Sequence, residues 1–315
     1  MIFLLQQMLF FSMPLMVVAV GGLYSERSGI VNIALEGMMI FGGFVGILFL
    51  FLFTGRMSGQ YALAIAMGLA TLAGMLLGLM HAYASVTMKA NQAISGMALN
   101  ILAPAVAVFV AKEVTPSELI PFRQRFFIPV VPVLADIPIL GPVLFQRAYI
   151  TTYVAIAVFV VSLIVVKQTR FGLRLRASGE HPHALDAAGV KVSRIRYAGV
   201  LISGGLAGLG GIIFFIPTSV EFSASVSGYG FLAIAVLVFS RWEIKRIIAT
   251  SFFFGLMQTV ASAFSGIPFL ANIPFIPAEF YRMLPYVATL VVLSLSRGES
   301  AAPAAIGVPY DVSAR

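Results

Sequence analysis

The stretch TRFGLRLRASGEHPHALDAAGVKVSRIRYAGVLISGGLAGLGG, Thr169 to Gly211, decides how the rest of the chain is read. Its first part is basic and soluble in character: Arg170, Arg174, Arg176, Lys191, Arg194 and Arg196 stand against Glu180 and Asp186. Pro182 suits the first turn of a short helix, where its missing N–H would be unpaired in any case. Gly189 suits the stop of that helix, where a left-handed residue is wanted. Between them Ala184 and Ala188 share one face of about two turns, with Leu185 beside them. A small, blunt helix on basic flanks is shaped to lodge in a groove of another protein. The plain alternative is an ordinary basic loop on the cytoplasmic side of a membrane. From Tyr197 the character changes. Ser203, Ala207 and Gly211 recur at every fourth position, and so do Gly204 and Gly208, giving one helix two adjacent faces for close packing.

The composition around this stretch excludes an ordinary soluble domain. Sixty per cent of the 315 residues are hydrophobic and 10 % are charged, with a mean hydropathy of +1.01; soluble chains are about a quarter charged. Apolar runs of roughly 20 residues recur along the chain, as a polytopic membrane protein requires. Ten of the 20 Lys and Arg residues lie in Lys167–Arg196 and Arg241–Arg246, so the net charge of +8 marks cytoplasmic loops, not a nucleic-acid surface. The absence of cysteine excludes disulfides and thiolate metal sites. The N-terminus is apolar from Ile2 with no basic run before it, and reads as a retained first helix.

Working outward, the expected fold is all-α, a polytopic transmembrane helix bundle of about 8–10 spans. Residues 3–23 form a first apolar segment containing Pro14, interrupted at Tyr24–Gly29. The interruption near Glu26–Val31 reads as a turn or as a re-entrant break within the membrane. A second segment runs from about Asn32 to Phe53. The third, 60–84, carries Ala62, Ala66, Ala70, Gly74, Gly78 and Ala82 at successive fourth positions. Lys89 and Asn91 mark a turn before the fourth, 92–111. Six of the 16 prolines then fall between Lys112 and Arg147, so 112–148 is expected to be an extracytoplasmic loop. Residues 149–166 return, and 167–197 form the cytoplasmic loop. After the small-residue helix, 197–216, come a loop to Gly230, a short span to Ser240 and a basic turn. Residues 247–264 cross outward, 265–282 make an outer loop, and 284–296 return to a cytoplasmic tail, 298–315.

Polar residues inside apolar spans are costly and usually face a cavity or a partner. Asn32, Glu36, Asn91, Gln92, Asn100, Ser203 and Gln258 qualify. Asn32, Glu36, Asn100 and Ser203, with Phe214 as a ring to stack on a planar solute, are the candidates for a translocation path. Asn32 also suits a plain N-cap, and lies four residues from Glu36, on one face of a first turn whose dipole favours a carboxylate. Asn91 and Gln92 suit a membrane-surface turn. Asn100 suits interhelical glue as well as pore lining. His81, His181 and His183 have no metal-ligand or catalytic spacing, and no glycine run matches a phosphate loop, so neither a cofactor nor ATP is expected on this chain.

The run Phe171–Gly211 resembles the coupling-loop region of ABC importer permeases of the branched-chain amino acid and simple-sugar class, nucleoside-type subfamily. ERSGIVNIALEGMMIFGGF (Glu26–Phe44) resembles that subfamily's N-terminal signature, and LPYVATLVVL (Leu284–Leu293) with IGVPY (Ile306–Tyr310) its C-terminal end. The subfamily commonly has Asn-Pro where this chain has His181-Pro182. The resemblance implies a type II ABC-importer-like permease fold in the inner membrane, and a role in importing a nucleoside or related small polar solute, with riboflavin or a simple sugar as alternatives. It implies a second related permease subunit, separate ATPase subunits and an extracytoplasmic substrate-binding lipoprotein as partners within the lipid bilayer system. It carries ATPase coupling onto Gly179, Pro182, Ala184, Ala188 and Gly189. The rival of another class is a stand-alone secondary transporter or channel; against it, the spans hold no paired acid–base relay, and Glu36 is nearly the only embedded carboxylate.

Overall fold

The computed structural model describes residues 2–53, 55–57, 59–122, 126–132, 134–138, 140–264, 278–295 and 301–311. Among them the chain folds as α1 (Ile2–Arg27), α2 (Leu35–Leu52), α3 (Gly59–Ala82), α4 (Gln92–Val114), α5 (Ile150–Gln168), α6 (Arg170–Glu180), α7 (Pro182–Ala187), α8 (Val192–Thr218), α9 (Tyr229–Phe239), α10 (Ile244–Ala263) and α11 (Ala278–Leu295). A π-helical turn, Tyr83–Thr87, prolongs α3. Six of these helices (α1, α2, α3, α4, α5 and α8) are long and apolar enough to cross a membrane. With α10 at 20 residues and α11 at 18, the all-α polytopic expectation holds. The short apolar helix α9 has 11 residues, about 16 Å, or half of a bilayer core.

The bundle is built around α8, for the reason its small residues give. In lipid, helices gain little from hiding apolar surface and associate where their backbones can approach closely. Gly204 and Gly208 of α8 meet Gly74 and Gly78 of α3 backbone to backbone; a methyl group added at Gly74 would collide with the Gly204 carbonyl. On the adjacent face Gly208 meets Gly42, and Gly211 meets the Met39 carbonyl, so α2 is held as closely. α1 closes a third side, with Val18 against Gly210. The outer faces of α3 and α4 expose Leu72, Leu76, Ile94, Ile101 and Phe109.

Three departures from the expected course bear on the site. First, α1 does not stop at Tyr24 but runs through Arg27. Tyr24, Ser25 and Glu26 are buried against other helices rather than exposed at a turn. The break therefore falls at Ser28–Ala34, and Asn32 lies outside α2 instead of opening it. Second, the basic loop holds α6 as well as the short helix α7. Third, part of the expected outer loop, from Ala278, is already helix α11; 265–277, with Pro268, Pro274 and Pro277, lies outside the described residues. So do 298–300 and 312–315 of the tail.

The proline-rich segment is tied down by two small antiparallel pairs. β1 (Ile120–Pro121) pairs with β4 (Glu221–Phe222), and β2 (Phe127–Val130) with β3 (Gln146–Tyr149). The first pair places the segment after α4 and the loop after α8 at one end of the bundle. The base, at the other end, gathers α6, α7, the turn after α9 and residues 301–311.

Candidate functional site

At the base, α7 is closed at both ends by the residues that announced it. Pro182 occupies its first turn. Gly189 takes φ +78°, its N–H donating to Asp186 O at 2.8 Å while Val190 N–H donates to Leu185 O at 3.3 Å. That pair of bonds satisfies the last carbonyls and lets Val190 pack near Leu185. Leu185 is buried in the core, whereas Ala184, Ala187 and Ala188 are exposed, so the helix turns a small, flat face outward. Gly179 is not in a turn. It sits in the last turn of α6, against the Arg27 carbonyl, where a Cβ would find backbone. Arg27 pairs with Glu180 at 3.0 Å and donates to the Trp242 carbonyl, and Trp242 Nε1 donates to the Glu26 carboxylate. Thus α6, and through it α7, is clamped to the end of α1.

Ser28–Ala34 is a non-helical joint buried inside the bundle, with Ser28, Ile30, Asn32 and Ala34 fully enclosed. Backbone without helical partners survives at membrane depth only where protein groups satisfy it. Here five elements contribute. Ser25 Oγ of α1 donates to Ile30 O at 2.8 Å, and Ser178 Oγ of α6 donates to Ser28 O at 2.9 Å. His81 Nε2 of α3 lies 2.9 Å from Val31 O, and since a carbonyl can only accept, Nε2 is the donor and Nδ1 of the neutral ring accepts from Ser95. Gln92 of α4 accepts from Val31 N–H at 2.7 Å. Asn100, also of α4, uses both ends of its carboxamide: Oδ1 accepts from Gly37 N–H at 2.7 Å and Nδ2 donates to Ile33 O at 2.9 Å. Asn32 folds back to accept from Ala34 N–H and donates to Ser203 Oγ of α8 at 2.8 Å.

Above the joint, Glu36 caps a helix, though not its own. Oε1 accepts from Gly228 N–H at 2.9 Å and Oε2 from Gly230 N–H at 2.6 Å, at the N-terminus of α9. A carboxylate there meets unpaired donors and the positive end of the helix dipole. Gly228 supplies φ +79°, and Gly230 has no room for a Cβ against the Glu36 backbone. The far end of α9 lies beside Arg27 at the base, so its N-terminus reaches about halfway through the bundle. Phe214 is buried, its ring centroid 4.5 Å from that of Tyr229 in the first turn of α9.

The ten expected site residues thus form two groups. Gly179, Pro182, Ala184, Ala188 and Gly189 gather at the base. Asn32, Glu36, Asn100, Ser203 and Phe214 surround the joint and the start of α9. The joint lies between the groups: Ser28 O accepts from Ser178, the neighbour of Gly179, and Asn32 donates to Ser203. Sequence reasoning missed His81, set aside for want of a metal pattern, and assigned Gln92 to a surface turn. It counted Arg196 only as a basic flank, yet that side chain is buried. The available signal was polarity within apolar runs, which flagged Gln92 but not its partner. At the opposite end of the bundle from α7, a cleft of about 850 Å³ is lined by Phe122, Phe127, Tyr149, Thr218 and Glu221, among others.

The family model described as branched-chain amino acid transport system / permease component matches residues 4–293. Over 306 residues the chain is 40 % identical to the guanosine ABC transporter permease protein NupQ of Bacillus subtilis, covering 96 % of this chain and 94 % of that one. Over 304 residues it is 38 % identical to the nucleoside ABC transporter permease protein NupC of Lactococcus lactis subsp. cremoris, covering 96 % and 95 %. It is 31 % identical over 316 residues to the putative glucose ABC transporter permease protein TsgC13 of Haloferax volcanii, covering 94 % of each.

Proposed function

The chain belongs to the family of permease components of branched-chain amino acid transport systems, and on that premise we propose that it is one of two permease subunits of an ATP-driven importer of nucleosides. It is a multi-pass protein of the inner membrane. The observation that carries the nucleoside assignment is the near full-length identity of 40 % and 38 % to the guanosine and nucleoside permeases, against 31 % to the putative glucose permease. In this reading ATP is hydrolysed in separate ATPase subunits, and a soluble receptor delivers the nucleoside at the end bearing the 112–148 loop. Solute descends between this chain and its companion.

The base is the cytoplasmic end, 167–197 the coupling loop, and α7 the part that enters a groove of the ATPase. The exposed Ala184 and Ala188 leave its face small enough to seat, and Pro182 and Gly189 fix its length. Gly179 lets α6 close on α1. Asn32, Asn100 and Ser203 act on the path by holding the joint, and Glu36 by holding the start of α9, with Phe214 packed behind it. The test is uptake by the importer reconstituted with its receptor in proteoliposomes. Radiolabelled guanosine should enter with ATP and be displaced by other nucleosides, while glucose and riboflavin enter far more slowly. Equal or faster glucose or riboflavin uptake, with guanosine excluded, would overturn the assignment.

A further inference from the structure

Residues 301–311 lie along the base and touch each element around α7. Ala305 N–H donates to Gly179 O at 2.8 Å, and Ala304 N–H to Glu180 Oε2 at 3.2 Å, which fastens the segment to α6. Gly307 N–H donates to Gly29 O at 3.0 Å, which fastens it to the joint. Tyr310 meets His183 of α7 with ring centroids 5.1 Å apart. Lys89, in the turn before α4, pairs with Asp311 at 2.7 Å. At the centre stands Arg196 of α8, 1 % exposed, whose Nη1 donates to Val308 O at 2.8 Å and whose guanidinium lies 6.0 Å from the Tyr310 ring centre. Its Nε and Nη2 find no hydrogen-bond acceptor among the described residues. Gly29, at φ +97°, makes the room: a Cβ there would crowd Arg196 Nη2 and the Ala305 carbonyl.

A buried guanidinium is expensive unless it is used, and here its use is to seat this segment. The arrangement also answers a mechanical need. α7 has six residues, too few to hold its shape alone, and among its side chains only Leu185 is buried in the core. A push on such a helix would be absorbed by the chain on either side unless something behind it passed the push on. We propose that residues 301–311 are a coupling strap: they bind α7, α6 and the Ser28–Ala34 joint into one moving body, and Arg196 is the positioning residue that seats them. The inference rests on α7 being the part that docks on the ATPase.

The test uses the whole importer in proteoliposomes, with radiolabelled guanosine as the probe, and reads solute moved per ATP hydrolysed. Three chains are compared with the parent: one ended after Ser300, Arg196→Gln and Arg196→Lys. Complexes of normal composition and thermal midpoint are expected, with hydrolysis within about twofold of the parent. Solute per ATP should fall about tenfold in the shortened chain and severalfold in Arg196→Gln. Arg196→Lys, which keeps the charge and a donor for Val308, should recover most of it. Unchanged solute per ATP in the shortened chain overturns the strap. So does a complex that falls apart and loses hydrolysis and transport together, because the segment would then be packing alone. Ala184→Glu in the same preparations separates the two ideas. If it couples normally, the docking role of α7 fails and the strap with it; if it uncouples while the shortened chain couples normally, the strap alone fails.

Discussion

Glu36 shows how a single side chain can serve an element far from it in the chain. Its two oxygens are taken by the N–H groups of Gly228 and Gly230, at the N-terminus of α9. Glu36→Gln keeps the shape but turns one oxygen into an NH₂ group, which faces a donor with a donor. Leaving a buried N–H without its acceptor costs about 1–3 kcal/mol, and the charge–dipole attraction is lost as well. The expected outcome is an assembled complex whose thermal midpoint drops by several degrees, measured by thermal unfolding in detergent, with transport reduced in step. A midpoint equal to the parent's would show that the carboxylate does not hold α9. That a carboxylate beside Asn32 serves a helix terminus was legible in the sequence. Which terminus was not, because Gly228 and Gly230 lie 192 and 194 residues away and nothing local links them. The same limit applies to His81 and Gln92, whose partner is the backbone of Val31.

At the scale of the element, α7 was readable because its start and stop are local chemistry: proline fixes the first turn and glycine takes the left-handed position after the last. The end of α1 was not readable, because burial and partners keep Tyr24–Arg27 helical despite its polar residues. Two expectations follow for the base. Ala184→Glu, adding a long charged side chain to the exposed small face, should leave folding intact, since a surface change there costs within about 0.5 kcal/mol. It should nonetheless abolish nucleoside-stimulated ATP hydrolysis by the complex; normal stimulation would remove α7 from the contact. Sidedness is tested with single cysteines at Ser193 and Arg174, both exposed and both outside α7, in a chain that has no others. An impermeant maleimide should leave them unlabelled in intact cells and label them in inverted vesicles. Ser178 is no probe of sidedness, because it is fully buried and bonded to Ser28.

At the scale of the whole molecule, the bundle depends on backbone-to-backbone approach around α8. The stripes of small residues on 60–84 and 197–216 were visible in the sequence, and the structure sets them against each other. What the sequence left open was pairing: five or more apolar helices are equally available to a small face, and only packing chooses. Gly208 stands between Gly74 of α3 and Gly42 of α2, with no room for a Cβ on the Ala70 side. Gly208→Leu must therefore force α3 away from α8. Overpacking typically costs about 1–3 kcal/mol, and more where rigid backbone opposes it. The variant should fail to yield a monodisperse complex in detergent, as size-exclusion profiles would show; a normal profile and midpoint would mean the contact is looser than drawn.

The half-length helix α9 also has a consequence in time. At 11 residues it is too short to enter a bilayer as a span of its own, and the carboxylate that seats it is made first. A ribosome adding about 5–20 residues per second needs roughly 10–40 s to travel from Glu36 to Gly230. For that interval the nascent chain holds an acid with no helix to cap. Until the last third of the chain arrives, Glu36 is without the two N–H groups that hold it in the folded protein.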